Sequence, residues 1–193
     1  LEKADRKAFY YALREEHAFD YDKWTRTEEA ASLYFLMKTG FNGIWQINKN
    51  TNGRFGTPSG LLNQKDKVYD RDNVLEWHTA LQNCVLMTGD FAQTLDKVES
   101  GAYVFLDPPY RGSFTQYGVD FDDEMQNRVI DYLNKSTSKG AFTLMSNRDV
   151  GDGFFEERKG NNKLVYFDVT YTAGRRKKNA DGSHEAKKAR EIL

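Results

Sequence analysis

The sequence predicts an α/β fold with an attached helical and β-hairpin module, on three observations. Short apolar runs alternate with helical segments beyond residue 84, the pattern of a sheet with parallel strands. One of those runs, residues 102–106, leads directly into Asp107-Pro108-Pro109-Tyr110, at the strand end where open α/β sheets place their ligands. The first third of the chain is rich instead in Ala, Leu, Glu and Lys, and carries a strong turn signal in Asn50-Thr51-Asn52-Gly53. We therefore divide the chain at residues 1–83, a helical and hairpin module, and residues 84–193, the sheet.

The elements follow in order. Residues 2–40 read as helix, with Ala30, Leu33, Tyr34, Met37 and Phe41 recurring at helical spacing and Gly40 as a stop. Residues 44–48 and 54–58 flank the turn signal and read as a hairpin. Residues 72–82 read as a short helix. Cys84-Val85-Leu86-Met87 is an apolar run expected as a buried strand, and residues 91–98 are expected to be helical. The strand at 102–106 is followed by a helix over 125–135, a strand over 141–145 and a strand over 164–170.

Composition narrows the function classes. The 193 residues are 39% hydrophobic and 30% charged, a balance that supports a packed globular core. Cys84 is the single cysteine, which excludes a disulfide framework and a cysteine-rich zinc site. His17, His78 and His184 show no metal-ligand spacing, so no metal is expected. There is no apolar run of membrane-spanning length and no signal peptide at the first residues, and the expected compartment is the cytoplasm. The net charge of -1 excludes a globally basic protein. A local basic face remains open, because Arg175, Arg176, Lys177 and Lys178 are consecutive. Such a block grips phosphates or is simply a solvated loop.

Asp107-Pro108-Pro109-Tyr110 carries the most chemistry. Two consecutive prolines lock φ twice and remove two N–H donors, so the turn is rigid and its carbonyls stay available as acceptors. A carboxylate held beside a backbone carbonyl makes an acceptor pair for an amino group. An aromatic ring just downstream can stack on a planar base.

These residues resemble the Dam-type DNA adenine N6-methyltransferases, which carry a DPPY motif after a sheet strand. The resemblance runs along nearly the whole chain. Residues Tyr10-Tyr11-Ala12-Leu13-Arg14-Glu15-Glu16 are similar to that family's YYxxREE segment. Lys38-Thr39-Gly40-Phe41-Asn42-Gly43 matches its KTGFNG, and Gly53, Phe55, Pro58 and Gly60 match the following G-x-F-x-x-P-x-G. Gly89-Asp90-Phe91 precedes DPPY, Phe114-Thr115-Gln116-Tyr117 matches FTxY, Ser146-Asn147 matches SN at a strand end, and Glu191-Ile192-Leu193 matches the closing E-[VIL]-L.

The resemblance implies a partial Rossmann-like methyltransferase sheet, S-adenosylmethionine as cofactor and double-stranded DNA as partner. It implies that Asp107 and the Pro108 carbonyl accept hydrogen bonds from adenine N6, within the rigid turn that Pro109 completes. Tyr110 would stack on a base flipped out of the duplex. It places Asp107, Asp90 and Phe91 near the cofactor, although Asp90 is equally suited to be a helix N-cap. It places Ser146 and Asn147 on the wall of the target-base pocket, where the residues alone favour an ordinary turn. DNA contacts are implied for Arg14, Asn42, Ile44, Gln46, Tyr117, Arg175, Arg176 and Lys177. GATC-specific relatives often carry Arg where this chain has Gln46. Arg reads guanine and Gln suits adenine, so no GATC site is assigned, and Gln46 also reads as a plain exposed strand residue.

No F-x-G-x-G-type loop, whose glycines let backbone approach the cofactor, precedes Tyr10. The expectation is that such a segment belongs to a longer chain, or that this chain is a DNA-binding fragment unable to bind cofactor alone. Methyltransferases of protein glutamine or RNA carry related motifs but lack the hairpin segment. A restriction-modification role and a solitary or phage role both fit.

Overall fold

The computed structural model describes residues 3–60, 68–112, 121–171, 177–178, 184–185 and 187–193. The described residues divide into two compact units, one up to Met87 and one from Thr88 onward.

In the first unit the expected single helix is two. Helix α1 (Lys3–Phe19) ends before a 3-10 turn at Tyr21–Lys23, and α2 (Arg26–Thr39) restarts the chain. The restart is encoded locally. Thr25 accepts from Glu28 N–H while Glu28 accepts from Thr25 N–H, a capping box at the start of α2. Gly40 ends α2 in an extended conformation, not the left-handed one. Its role is steric, since a Cβ there would lie 2.7 Å from the Leu36 carbonyl oxygen.

The hairpin is shorter than expected. Strands β1 (Ile47–Asn48) and β2 (Arg54–Phe55) pair antiparallel around a 3-10 turn at Lys49–Thr51, and left-handed Asn52 and Gly53 reverse the chain. Phe55 is completely buried and packs with Tyr10 and Leu36, with Trp45 at its edge. Two side chains of α1 hold the hairpin's return. The Tyr10 hydroxyl donates to the Thr57 carbonyl at 2.9 Å, and Arg14 donates to the Gly56 and Thr57 carbonyls at 3.1 Å each. Helix α3 (Arg71–Leu81) follows, capped by Asp70.

The strand expected at residues 84–87 is absent. Among the described residues they pair with no strand, and Val85 is 84% exposed. An apolar tetrapeptide becomes a strand only where a ladder partner takes its N–H and C=O groups. Residues Phe91–Lys97 form a 3-10 helix, not an α-helix.

The second unit is built on β3 (Tyr103–Leu106), α4 (Asp123–Ser138) and β4 (Phe142–Met145), with β3 and β4 parallel and in register from Tyr103↔Phe142 to Leu106↔Met145. Val104 and Leu106 turn toward Val98, Tyr132 and Ala141, while Tyr103, Phe105, Phe142 and Leu144 on the opposite face are exposed. After Ser146 the chain continues as β5 (Asn147–Asp149), then α5 (Phe154–Arg158) and β6 (Tyr166–Tyr171). Strands β7 (Lys177–Lys178) and β8 (His184–Glu185) pair with each other, and β9 (Lys187–Ile192) lies antiparallel between β5 and β6. Phe154, Phe155 and Ile192 form the core there. The whole is a mixed α/β chain with small sheets.

Candidate active site

Parallel pairing of β3 and β4 places their carboxyl ends side by side. The register that sets Leu106 opposite Met145 makes the next residues, Asp107 and Ser146, neighbours. Ser146 N–H donates to the Leu106 carbonyl at 3.0 Å, and its hydroxyl donates to Asp107 Oδ1 at 2.6 Å. Asp107 is exposed whereas Ser146 is buried. The Asp107 carboxylate thus sits at the strand end with Ser146 as one partner and with Tyr110 beside it.

The prolines are pinned from behind. Gln126 of α4 is fully buried and donates through Nε2 to the Pro109 carbonyl at 2.7 Å. Its Oε1 accepts from Asn147 Nδ2 at 2.9 Å, and Asn147 Oδ1 accepts from the N–H groups of Arg111 (3.0 Å) and Arg148 (2.8 Å). Asn147 is therefore completely buried, with its amide spent on the turn, and it does not line an open pocket wall. Tyr110 is half-buried beside Ser146 and Asp107. Burial pushes its phenol pKa up; contact with the Ser146 hydroxyl opposes this, while the nearby Glu191 and Asp107 charges add to it.

Arg111 closes the turn. Its guanidinium bonds both carboxylate oxygens of Asp123 at 2.8 Å and Asp152 at 2.9 Å, and lies 3.8 Å over the Phe154 ring. Its hydrogen bonds hold the Asp123 and Asp152 carboxyls below the usual range. Neither Gln126 nor Arg111 was expected from the sequence. The available signal for Gln126 was a polar residue on the Val129–Leu133–Ser136 stripe of α4, all of which is buried.

Other expected residues sit in different settings. Asp90 caps the 3-10 helix by accepting from Ala92 N–H at 2.9 Å and pairs with Arg128 at 2.7 Å. Phe91 packs edge-on to Tyr132. Arg14 is committed to the hairpin carbonyls and stacks on Tyr11. In the hairpin module, Asn42 and Ile44 are exposed and Gln46 is half-buried, with Asn42 in the left-handed region. Lys177 lies in β7. Tyr117, Arg175 and Arg176 lie outside the described residues.

A cleft of about 380 Å³ in the second unit, lined by Ile130, Leu133, Leu144, Phe155 and Phe167 among others, includes none of the expected site residues. Among the described residues no group of His, Cys, Asp and Glu could hold a metal ion, and no helix is long and apolar enough to cross a membrane.

The turn that carries this geometry falls within a family match. Residues 1–157 match the model of the D12 class N6 adenine-specific DNA methyltransferases. The chain belongs to that family.

Individual relatives agree. The chain is similar to the type II methyltransferase M.MjaIII of Methanocaldococcus jannaschii, at 31% identity over 193 residues, 96% of this chain and 65% of the relative. It is 27% identical to the type II methyltransferase M1.LlaDCHI of Lactococcus lactis subsp. cremoris, covering 76% of this chain and 54% of the relative. It is 29% identical to the retron Ec67 DNA adenine methylase of Escherichia coli, covering 78% and 51%. The chain thus spans between half and two thirds of these relatives' lengths. The family match contains β3, α4, β4 and the Asp107–Ser146 pair, and ends before β6.

Proposed function

We propose that this chain carries the target-base site and the DNA-reading module of an enzyme that methylates adenine N6 in duplex DNA. The observation that carries the reading is the Asp107 carboxylate, held by Ser146 at the end of β3 in a turn whose prolines leave carbonyls free of local N–H partners. Membership of the D12 family and the names of its relatives support it.

Adenine N6 is a weak nucleophile, because its lone pair delocalises into the ring. Asp107 would accept one N6 hydrogen and the Pro108 carbonyl the other. Both bonds localise the lone pair and fix its direction, so the contribution is positioning and electrostatics. Asp107 need not be a strong base, since the proton can leave after transfer. The half-buried Tyr110 ring would stack on the base, which must leave the duplex to be reached.

S-Adenosylmethionine, when bound, supplies an electrophilic methyl group. The described residues make only a partial fit to it. Asp90 is paired with Arg128 and caps the 3-10 helix, and Phe91 packs on Tyr132. No step is assigned to either residue. On this reading the two-stranded β3–β4 sheet and the three-stranded β5–β9–β6 sheet belong to the catalytic half of a Rossmann-like methyltransferase domain.

Asn42, Ile44 and Gln46 are proposed to read bases from the hairpin module, with Arg175, Arg176 and Lys177 on phosphates and Tyr117 near the target. Arg14 supports the hairpin through Gly56 and Thr57 in place of a direct contact. The test is to incubate DNA free of N6-methyladenine with the protein and S-adenosylmethionine, then to quantify N6-methyldeoxyadenosine by mass spectrometry. Accumulation supports the reading. DNA binding with no product favours a DNA-binding fragment.

A further inference from the structure

We propose that Gln126 is a positioning residue for catalysis, whose amide locks the Asp107–Tyr110 turn in its working shape; this rests on the methyltransferase reading above. Four hydrogen-bonding groups form a closed circuit. Gln126 Nε2 donates to the Pro109 carbonyl at 2.7 Å. Asn147 Nδ2 donates to Gln126 Oε1 at 2.9 Å, and Asn147 Oδ1 accepts from Arg111 N–H at 3.0 Å. The backbone between Pro109 and Arg111 completes the ring. The turn is clamped on both sides of Tyr110, by two amides that orient each other.

Chemistry makes this device specific. Pro108 and Pro109 have no N–H, so the turn has few local backbone donors, and side-chain amides serve its Pro109 carbonyl and its Arg111 N–H. Taking the Pro109 carbonyl and the Asn147 amide together requires a donor and an acceptor on one planar head, and a primary amide carries both at every pH. Gln126 and Asn147 are both essentially without solvent access, so neither can replace a lost partner with bulk water. Their circuit touches no substrate. It holds the Pro109 carbonyl, and among the described hydrogen bonds none takes the Pro108 carbonyl, which the methyltransferase reading assigns to the adenine amine.

Gln126→Glu tests the lock because its effect must depend on pH. Ionised, the carboxylate has no donor for the Pro109 carbonyl. Protonated, its O–H donates to Pro109 and its C=O still accepts from Asn147. Burial raises the pKa of the introduced carboxyl, so the working form gains population as pH falls from 8 to 6. At pH 8 the variant is expected to lose roughly 10- to 100-fold in kcat for methyl transfer, the effect of a slightly misplaced catalytic group. KM for DNA is expected to stay unchanged. The ratio of variant to wild-type kcat should recover at pH 6, and the thermal midpoint difference should narrow in parallel. Gln126→Met, which keeps the volume but neither bond, should lose kcat equally at both pH values. Activities are taken below the thermal midpoint of each variant, so that folded protein is compared. Normal kcat at pH 8 in either variant overturns the proposal, as does a loss in Gln126→Glu that is independent of pH. A wild-type protein that transfers no methyl group while the thermal midpoint difference keeps its pH dependence overturns the methyltransferase reading and the catalytic role together, and leaves the amide lock as a purely structural element.

Discussion

The Ser146 hydroxyl donates to Asp107 Oδ1 at 2.6 Å, across 39 positions of sequence. The contact exists because β3 and β4 are parallel and in register up to Leu106↔Met145, so the first residue beyond each strand meets its counterpart. A small hydroxyl at that point orients the carboxylate without covering it. The pair joins the two strand ends that the D12 family match contains.

Removing that hydroxyl is expected to slow the reaction rather than unfold the protein. A hydrogen bond to a charged group is worth about 1.5–3 kcal/mol, so Ser146→Ala should lower kcat by roughly 10- to 100-fold. KM for DNA should hold steady. Steady-state kinetics at saturating cofactor measure both.

The hairpin module depends on α1 side chains that reach its backbone. The Tyr10 phenol is pushed up to about 12, chiefly by burial, and stays a neutral donor to the Thr57 carbonyl. Tyr10→Phe should cost about 1 kcal/mol of stability, since Arg14 still serves that carbonyl. Urea unfolding followed through Trp45, which packs on Phe55, reports this unit.

Acid should release the Arg111 clamp. Asp123 and Asp152 have carboxyls lowered from 3.8 by hydrogen bonds from Arg111. A depressed carboxyl contributes stability that is complete above its unfolded value and lost as pH falls through the folded one. The thermal midpoint should therefore hold above about pH 5 and fall below about pH 4. Arg111→Gln should lower the midpoint at pH 7 and flatten the fall below pH 4. Scanning calorimetry across pH 2–7 checks the pair of effects.

Much of this was legible in the sequence, for identifiable reasons. Strand β3 and the DPPY turn are announced by signals that act over a few residues, namely an apolar run and two prolines, while α4 extends beyond the expected 125–135 at both ends, with Asp122 as its cap. The break between α1 and α2 was equally local, in Thr25 and Glu28, and was hidden by the favourable helix composition around it. Residues 84–87 failed as a strand because strand formation depends on a partner that no local pattern supplies. Gln126 was invisible for a related reason. A polar residue on a helix reads as surface until tertiary structure brings Pro109 and Asn147 to it. Asn147 shows the same limit from the other side, since its motif drew attention while its buried amide holds the turn.

The most direct test of the central claim compares Asp107→Ala with the wild type, for methyl transfer and DNA affinity on the same duplex DNA. Transfer is expected to fall by about a thousandfold, as when a preorganised electrostatic group is removed. The dissociation constant for DNA is expected to stay nearly unchanged, because the proposed role of Asp107 is at the base and not at the phosphates. An Asp107→Ala protein that turns over at the wild-type rate would rule out Asp107 as the acceptor for adenine N6.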